Sequence, residues 1–292
     1  MALEVVFLGT GSPLPSADRC GAGQLMVAGT TNVLVDCGWG SARKLLPSAV
    51  QPARVDTAIF THMHSDHITD FPDFMFLRWV TGATKPLKVY GPQGTREVIE
   101  AFMLALRQDI GFRIAHHGEK LHPDAMKVEI TELPTTAAPK QFAEIGGLAL
   151  EAFEVDHFPV VPAFGFRAKY EGKTVVFSGD TKKCGTLLEA SRGADMLVCE
   201  ALNMAMLNRT IDSLKPNAPL QAGNLEDVPS YHITTLEVAE LARDAGVREV
   251  VLTHVIPTIP GQDAAETAFV QGMSEAYGGT IRVARDTMRV TV

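Results

Sequence analysis

The chain carries its most informative stretch at residues 61–67, which read Thr61-His62-Met63-His64-Ser65-Asp66-His67. Three of the nine histidines in 292 residues fall within six positions here, beside an aspartate, so chance is a poor explanation. Residues 56–60 before it are typical of a buried strand, and the apolar run at residues 71–80 is typical of a helix. Imidazole nitrogens and carboxylate oxygens are ligands of zinc and similar metals. The stretch therefore predicts a metal site where a strand ends and a helix begins.

Spacing within this stretch predicts two ions. His62 and His64 lie two positions apart, so in an extended turn their side chains can converge on one ion. Asp66 and His67 lie one turn further along the chain and can bind a second ion close to the first. The simpler alternative, a polar loop whose histidines have no function, is disfavoured by their density.

Composition bounds the class of protein. A hydrophobic content of 46% with 21% charged residues indicates a folded soluble protein, and the net charge of −8 argues against a broad basic surface for nucleic acid. The N-terminal residues show no secretory signal, and we expect no membrane-spanning segment because no apolar run is long enough. Four scattered cysteines without a CxxC spacing indicate free thiols and a cytoplasmic location.

Strands that end at polar residues recur along the chain, with helical segments between them. Predicted strands lie at residues 5–8, 25–28, 32–36, 87–90, 148–155, 174–177, 195–199 and 249–252, with a terminal strand pair at 280–292. Predicted helices lie at residues 95–106, within 203–230, where a loop follows, and at 234–245, which opens with a capping box of Thr234 and Glu237. The pattern predicts an α/β fold with helices outside the sheets. The polar residues that follow strands are His67, His157, Asp180, Glu200 and His254.

The order of these residues resembles the metallo-β-lactamase superfamily, through the His62-x-His64-x-Asp66-His67 motif followed by His157, Asp180 and His254. The branch that it resembles most holds the tRNA 3′-processing endonucleases (tRNase Z) and the zinc arylsulfatases. Supporting stretches are residues 7–13, 35–38, 178–181 and 200–201, and His232 with Thr234 and Thr235. The resemblance implies an αββα sandwich of two mixed sheets with helices outside. We expect one domain over residues 1–292, in two αβ halves of about 1–147 and 148–292.

The resemblance also implies the roles of the site residues. His62, His64 and His157 would hold one ion, Asp66, His67 and His254 the other, and Asp180 would bridge both. The expected cofactor is two Zn²⁺ ions, with Mn²⁺ or Fe²⁺ as alternatives, sharing a hydroxide that attacks the substrate. Asp66, His232 and Glu200 are expected to act in catalysis. His232 would protonate the leaving group while paired with Glu200. The alternative is a structural role, in which His232 only contacts the backbone at the start of a helix.

The leading functional hypothesis is a phosphodiesterase acting on small or nucleotide-like esters. An arylsulfatase is the nearest alternative, and a tRNA 3′-endonuclease, a lactonase or a β-lactamase are further ones. Two alternatives outside hydrolysis also remain, namely a di-iron redox protein and a metal-binding scaffold without enzymatic activity. RNA is admitted but not favoured as partner, because residues 158–179 leave no room for the flexible arm of typical tRNase Z enzymes. A small-molecule ester is the expected substrate, and the protein could form a homodimer. The sequence predicts no role for His116, His117 and His122.

Overall fold

The computed structural model describes residues 2–14 and 16–292. Its strands are β1 Leu3–Gly9, β2 Gly23–Ala28, β3 Thr31–Val35, β4 Thr57–Ile59, β5 Leu87–Gly91, β6 Val128–Glu132, β7 Lys140–Ile145, β8 Leu148–Glu154, β9 Phe164–Tyr170, β10 Lys173–Phe177, β11 Met196–Leu202, β12 Glu249–Ile256, β13 Thr280–Val283 and β14 Arg289–Thr291. Its α-helices are α1 Ser65–Ile68, α2 Phe71–Val80, α3 Thr95–His117, α4 Gly185–Ser191, α5 Met204–Leu214, α6 Pro219–Asp227, α7 Thr235–Ala245, α8 Asp263–Phe269 and α9 Met273–Ala276. Short 3-10 helices lie at Ala42–Lys44, Pro52–Arg54, Gly118–Lys120, Pro123–Met126 and Val228–Ser230.

Within the described residues, two sheets of seven strands each form the centre of the molecule. The first has the order β14-β1-β2-β3-β4-β5-β6, and the second β13-β12-β11-β10-β9-β8-β7. In the first sheet, pairs from β14 to β3 are antiparallel and pairs from β3 to β6 are parallel. In the second sheet, pairs from β7 to β10 are antiparallel and pairs from β10 to β13 are parallel. Both sheets are therefore mixed and follow the same plan.

Three large apolar cores fill the spaces between the layers. One lies between the sheets and includes Phe7, Met26, Phe164 and Phe166. A second covers the outer face of the first sheet with α2 and α3, and a third covers the outer face of the second sheet with α4, α7, α8 and α9. The central strands β1 and β11 are buried on both faces, so their burial lacks the alternation of a half-exposed sheet. The layers stack as helix, sheet, sheet, helix, and the predicted αββα fold class is confirmed.

Local predictions are confirmed where the sequence carries strong stop signals. The helix predicted at residues 71–80 is α2. The strands predicted at residues 25–28 and 32–36 correspond to β2 and β3, which pair as a hairpin that turns at Gly29, whose φ of 61° suits glycine. Helix α7 begins with the predicted capping box, in which Thr234 and Glu237 bond reciprocally, and ends at Gly246 with a φ of 67°.

Other local predictions need correction. The helix predicted at 95–106 continues to His117, and residues 203–230 form the two helices α5 and α6 where one helix and a loop were expected. Residues 280–292 contain two strands as predicted, but they do not pair with each other, because β13 pairs with β12 in the second sheet while β14 pairs with β1 in the first. Among the described residues, no helix has both the length and the hydropathy needed to cross a bilayer.

Candidate metal centre

The histidine motif lies in the turn between β4 and α1. His64 has extended backbone, and α1 begins at the next residue, so Asp66 and His67 lie in the first helical turn. The segment after β3 holds this turn in place, since Cys37 N–H donates to the carbonyl of His67 at 2.6 Å. Gly38 allows the close approach, because a Cβ there would lie 1.8 Å from the Asp66 carbonyl oxygen.

The second sheet brings His157 and Asp180 to the same place. His157 follows β8, and Asp180 follows β10 through Gly179, whose φ is 61°. A Cβ on Gly179 would lie 2.5 Å from the Phe164 carbonyl oxygen, so the tight turn before Asp180 requires glycine. Both residues occupy the predicted positions after strands.

Glu200 and His254 lie inside strands, where positions after the strand ends were expected. Strand β11 continues through Glu200 to Leu202, and β12 continues through His254 to Ile256. The pairing of β11 with β12 shifts at this point, so His254 is an extra, bulged residue with a φ of 44°. A bulge turns a side chain away from its regular direction. Here the bulge accounts for how a residue inside a central strand reaches the site.

Asp180 lies at the centre of the assembled cluster. Its Oδ2 atom is 3.4 Å from Nε2 of both His67 and His254, 3.9 Å from Nε2 of His62 and 4.0 Å from Nε2 of His157. One carboxylate oxygen therefore faces imidazole nitrogens supplied by both sheets.

Two groups in the cluster correspond to the expected ligand sets, and within each group the potential ligand atoms lie within 4.8 Å of one another. The structure brings together all seven residues expected as ligands: His62, His64, His157 and Asp180 in the first group, and Asp66, His67 and His254 in the second. All are buried except His64, which is exposed. Asp180 adjoins the second group through the contacts given above.

The hydrogen bonds of the ring nitrogens fit a bound cation. His64 Nδ1 lies 2.9 Å from His62 Nε2 and 3.4 Å from His157 Nε2, so three ring nitrogens face one another. Nε2 of His67 is buried and makes no hydrogen bond. Facing lone pairs repel one another unless a proton or a metal ion lies between them. The donor set of imidazole and carboxylate therefore fits divalent ions such as zinc.

Outer contacts hold three of these rings with Nε2 directed at the cluster. His67 Nδ1 donates to Asp36 Oδ2 at 2.8 Å, and His157 Nδ1 donates to the Tyr231 carbonyl at 3.0 Å. His62 Nδ1 lies 3.0 Å from Thr61 Oγ1, which itself donates to Asp36. Such partners fix the ring orientation of ligating histidines. Asp36 too follows a buried strand, but no motif or spacing in the sequence predicts a role for it.

Glu200 and His232 form the expected pair. His232 Nδ1 lies 2.6 Å from Glu200 Oε2, and the backbone N–H of Thr181 donates to the other oxygen of Glu200. Both side chains are buried. His232 also lies close enough to Asp180 and His254 to form a third potential ligand group with them. Geometry alone thus leaves two roles for His232, in metal binding or in proton transfer.

Charge within the cluster keeps its carboxylates ionised. Burial raises the pKa of Asp180, but the charges of His254 and His67 outweigh burial and hold that pKa well below its usual range. Burial likewise raises the pKa of Asp66, but the hydrogen bond with His254 and the charge of His67 bring it to about 2. Burial lowers the pKa of His67, whereas Asp180 and Asp36 outweigh it and shift that pKa well upward. The same negative potential attracts a metal cation.

The remaining histidines lie elsewhere. His116 and His117 end helix α3 with exposed side chains, and Nδ1 of His122 accepts a hydrogen bond from the Asp124 backbone. In the part of the chain that the structure describes, these three belong to none of the potential ligand groups.

Comparison with known proteins agrees with this geometry. A family model described as "Beta-lactamase superfamily domain" matches residues 31–255. The chain is 36% identical over 294 residues to the ribonuclease Z of Mycobacterium bovis (strain BCG / Pasteur 1173P2), covering 99% of this chain and 98% of that protein. The chain belongs to the ribonuclease Z family of the β-lactamase superfamily. A second member of the ribonuclease Z family, from Mycobacterium sp. (strain KMS), is 38% identical over 276 residues and 91% of each chain.

Two solved structures share the fold of this ribonuclease Z family member. The metallo-β-lactamase fold protein YhfI from Bacillus subtilis superposes with a TM-score of 0.72 at 19% identity, over 100% of both chains. The short form of human tRNase Z superposes with a TM-score of 0.67 at 22% identity, over 98% of both chains. At these identities the superpositions support the fold alone.

Proposed function

We propose that this ribonuclease Z family member is a metal-dependent phosphodiesterase with two divalent ions, zinc by preference. The position of Asp180 carries the proposal, because its Oδ2 lies within 4.0 Å of four imidazole nitrogens drawn from both sheets. A carboxylate in that position suits a bridge between two ions. Imidazole with carboxylate favours zinc, and the same donors accept manganese or iron.

Each ion would have its own set of side chains. His62, His64 and His157 would hold one, and Asp66, His67 and His254 the other, with Asp180 shared. Bound there, the ions would supply hydroxide at neutral pH and take up negative charge from the phosphoryl oxygens. Asp36 and Thr61 would keep His67 and His62 oriented for this purpose.

His232 would deliver the proton that the leaving alcohol needs. Burial and the charge of Asp180 raise the pKa of Glu200 well above its usual range, and burial lowers the pKa of His232. These opposite shifts favour a neutral pair that shares one proton across the 2.6 Å contact. Nε2–H of His232 would then protonate the departing alkoxide while Nδ1 takes the proton of Glu200.

RNA is the second candidate substrate, and one observation favours it. The alignment with the mycobacterial ribonuclease Z covers 99% of this chain and 98% of the other within 294 residues. Because the two chains align over nearly their whole lengths, neither contains a long segment that the other lacks. The short interval between His157 and Asp180 therefore does not set this chain apart from those relatives, and the expectation that disfavoured RNA loses its main support. The acidic net charge still argues for a small diester first.

A cytoplasmic location fits the thiols. Cys20, Cys37, Cys184 and Cys199 are all free, and burial raises the pKa of Cys199 and Cys37, which keeps both protonated. Reduced, buried thiols are typical of proteins in reducing compartments.

A hydrolysis panel on the zinc-loaded protein tests the proposal. It compares bis(p-nitrophenyl) phosphate, p-nitrophenyl sulfate, a lactone, a cephalosporin and precursor tRNA, each with and without chelator. We expect the phosphodiester to be hydrolysed with the highest kcat/KM and the chelator to abolish turnover. Preference for the sulfate ester would assign the site to an arylsulfatase instead. Accurate cleavage of precursor tRNA at a higher kcat/KM than the small diester would make RNA the substrate.

A further inference from the structure

A cavity of about 390 Å³ opens directly beside the metal centre. Its floor contains His64, Asp66, Asp180, His232 and His254, which are the reacting end of the proposed site. The remaining walls come from three segments far apart in the chain. Its volume falls in the range of small-molecule sites, so one substituent of an ester can enter it whole.

Most of the wall opposite the metal centre is apolar. Leu225 at the end of α6 and Val228 just after it form one side, and Ile256 at the end of β12 forms another. Leu14 and Pro13, on the loop after β1, complete the rim. Leu225, Val228 and Ile256 also belong to a small apolar cluster beneath the α5–α6 helix pair, separate from the three main cores. The wall therefore has a packed support of its own.

The cavity offers no cation for a second anionic group. Among the described residues that line it, none is lysine or arginine, and the two carboxylates are Asp66 and Asp180 of the metal centre. An additional phosphate or carboxylate inside would lose hydration and find no cationic side chain, and the effective cost of burying an ion in a protein is several kcal/mol. An uncharged group would lose little and gain about 0.8 kcal/mol for each methylene removed from water.

Several polar groups of the wall already have partners. Ser12 and Thr258 share a hydrogen bond of 3.1 Å between their hydroxyls, and Thr210 donates to the Met206 carbonyl. The ring of Tyr231 packs beside those of His157 and His232, at centroid distances of 5.6 and 4.7 Å. The inner wall thus offers apolar and aromatic surface more than free donors and acceptors.

We propose that this wall, formed by Leu14, Leu225, Val228 and Ile256, is a subsite for an uncharged apolar substituent on the leaving alcohol of the diester. The inference rests on the proposed phosphodiesterase function. His232 lines the same cavity, so the alcohol that it protonates lies against the apolar wall. The natural substrate is then a diester in which one alcohol is aromatic or aliphatic and bears no charge of its own.

Two substrates of matched shape test the charge preference. One is the methyl phosphodiester of 4-propylphenol, and the other is that of 3-(4-hydroxyphenyl)propanoate, which replaces a methyl group with a carboxylate remote from the reacting bond. Because the phenolic leaving groups are electronically similar, the comparison isolates the distant end. We expect the zinc-loaded protein to favour the propyl ester roughly 10- to 100-fold in kcat/KM, because the carboxylate would lose hydration in the cavity without gaining a cationic partner.

Variants then locate the subsite. Leu225→Lys should remove most of that preference by placing a cation in the wall, and Leu220→Lys, on the same helix at 80% exposure and outside the cavity, should leave it intact. Leu14→Lys, on the loop after β1, tests the same wall from another segment. Because the Leu14 side chain is 44% exposed, this substitution is tolerated more easily by the fold. Binding of free 4-propylphenol, measured by ligand-observed NMR, should weaken in both cavity variants and not in the control.

The outcomes separate the two proposals. Hydrolysis of both diesters with equal kcat/KM, unchanged by Leu225→Lys and Leu14→Lys, would overturn the apolar subsite and leave the phosphodiesterase standing. Absence of hydrolysis for every diester would overturn both proposals. A kcat/KM for precursor tRNA above that of the propyl ester would overturn the subsite, because a polynucleotide brings further charges into the cavity.

Discussion

The two sheets follow one plan but contribute to the metal cluster in different ways. The first sheet supplies four potential ligands from residues 62–67, all in one turn and the first turn of α1. The second sheet supplies His157, Asp180 and His254 from three separate segments. Ligands of the first kind are placed by local backbone, whereas ligands of the second kind are placed by strand pairing. A site between two sheets therefore needs only one contiguous motif, since the second sheet brings single residues to meet it.

Asp180→Ala should have the largest effect, because Asp180 is where the two contributions meet. We expect kcat/KM for bis(p-nitrophenyl) phosphate to fall by more than about 10⁴-fold, beyond the usual range for loss of one acid–base group. Metal content, measured by elemental analysis after zinc loading, should fall from two ions per chain to one or fewer. Asp263→Ala, a 94% exposed carboxylate, is the control. A variant that keeps both ions would show that neither ion depends on Asp180.

His232→Ala comes next and separates proton transfer from metal binding. We expect two ions to remain while kcat falls roughly 10²–10⁴-fold for a diester with a poor leaving group. The loss in kcat should be smaller for a diester whose leaving group is p-nitrophenolate, because that group departs without protonation. The exposed His116→Ala is the matched control. Loss of an ion from the variant would instead make His232 a ligand of the third group, with Asp180 and His254.

Asp36→Asn should have a smaller effect, confined to the ligand set of the first sheet. Asp36 has a φ of 55°, which asparagine tolerates, so the change removes charge without straining the backbone. The N–H₂ of the new amide would face either the Nδ1–H of His67 or the backbone N–H of Thr61, and neither can accept its hydrogen bond. We expect zinc affinity for one of the two ions to fall about 10–100-fold, measured by competition with a chelator. Equal affinities in the variant and the parent would contradict this supporting role, and exposed Asp73→Asn is the control.

Thr234→Ala should have the smallest effect and should touch stability alone. The substitution removes the cap of α7, a helix on the outer face of the second sheet. Loss of an N-cap costs about 1 kcal/mol in the free energy of unfolding, measured by denaturant titration. Metal content should stay at that of the parent, because α7 supplies no potential ligand. Thr267→Ala, at an exposed position in α8, should cost less, and a loss of metal in Thr234→Ala would tie the cap to the site.

Much of the candidate site could be predicted from the sequence, because its residues belong to a contiguous motif or follow predicted strands. Residues 62–67 are contiguous, so spacing alone indicates two ligand groups, and the polar residues after β8 and β10 are visible as strand ends. The resemblance to a known superfamily supplied the assignment of His254 and His232. Asp36 escaped notice although the same signal marks it, because a carboxylate that acts through a histidine leaves no spacing pattern of its own.

The sequence by itself determined the fold class, the strand-to-helix position of the histidine motif and the capped helix α7, since each depends on neighbours within a few residues. Tertiary structure alone decided the rest. The bulge at His254 arises from the register between β11 and β12, and the separation of β13 from β14 arises from sheet order. The apolar cavity wall joins Leu14, Leu225 and Ile256, which are more than two hundred positions apart at the extremes. Contacts over such separations depend on how the layers pack, which no local pattern of residues encodes.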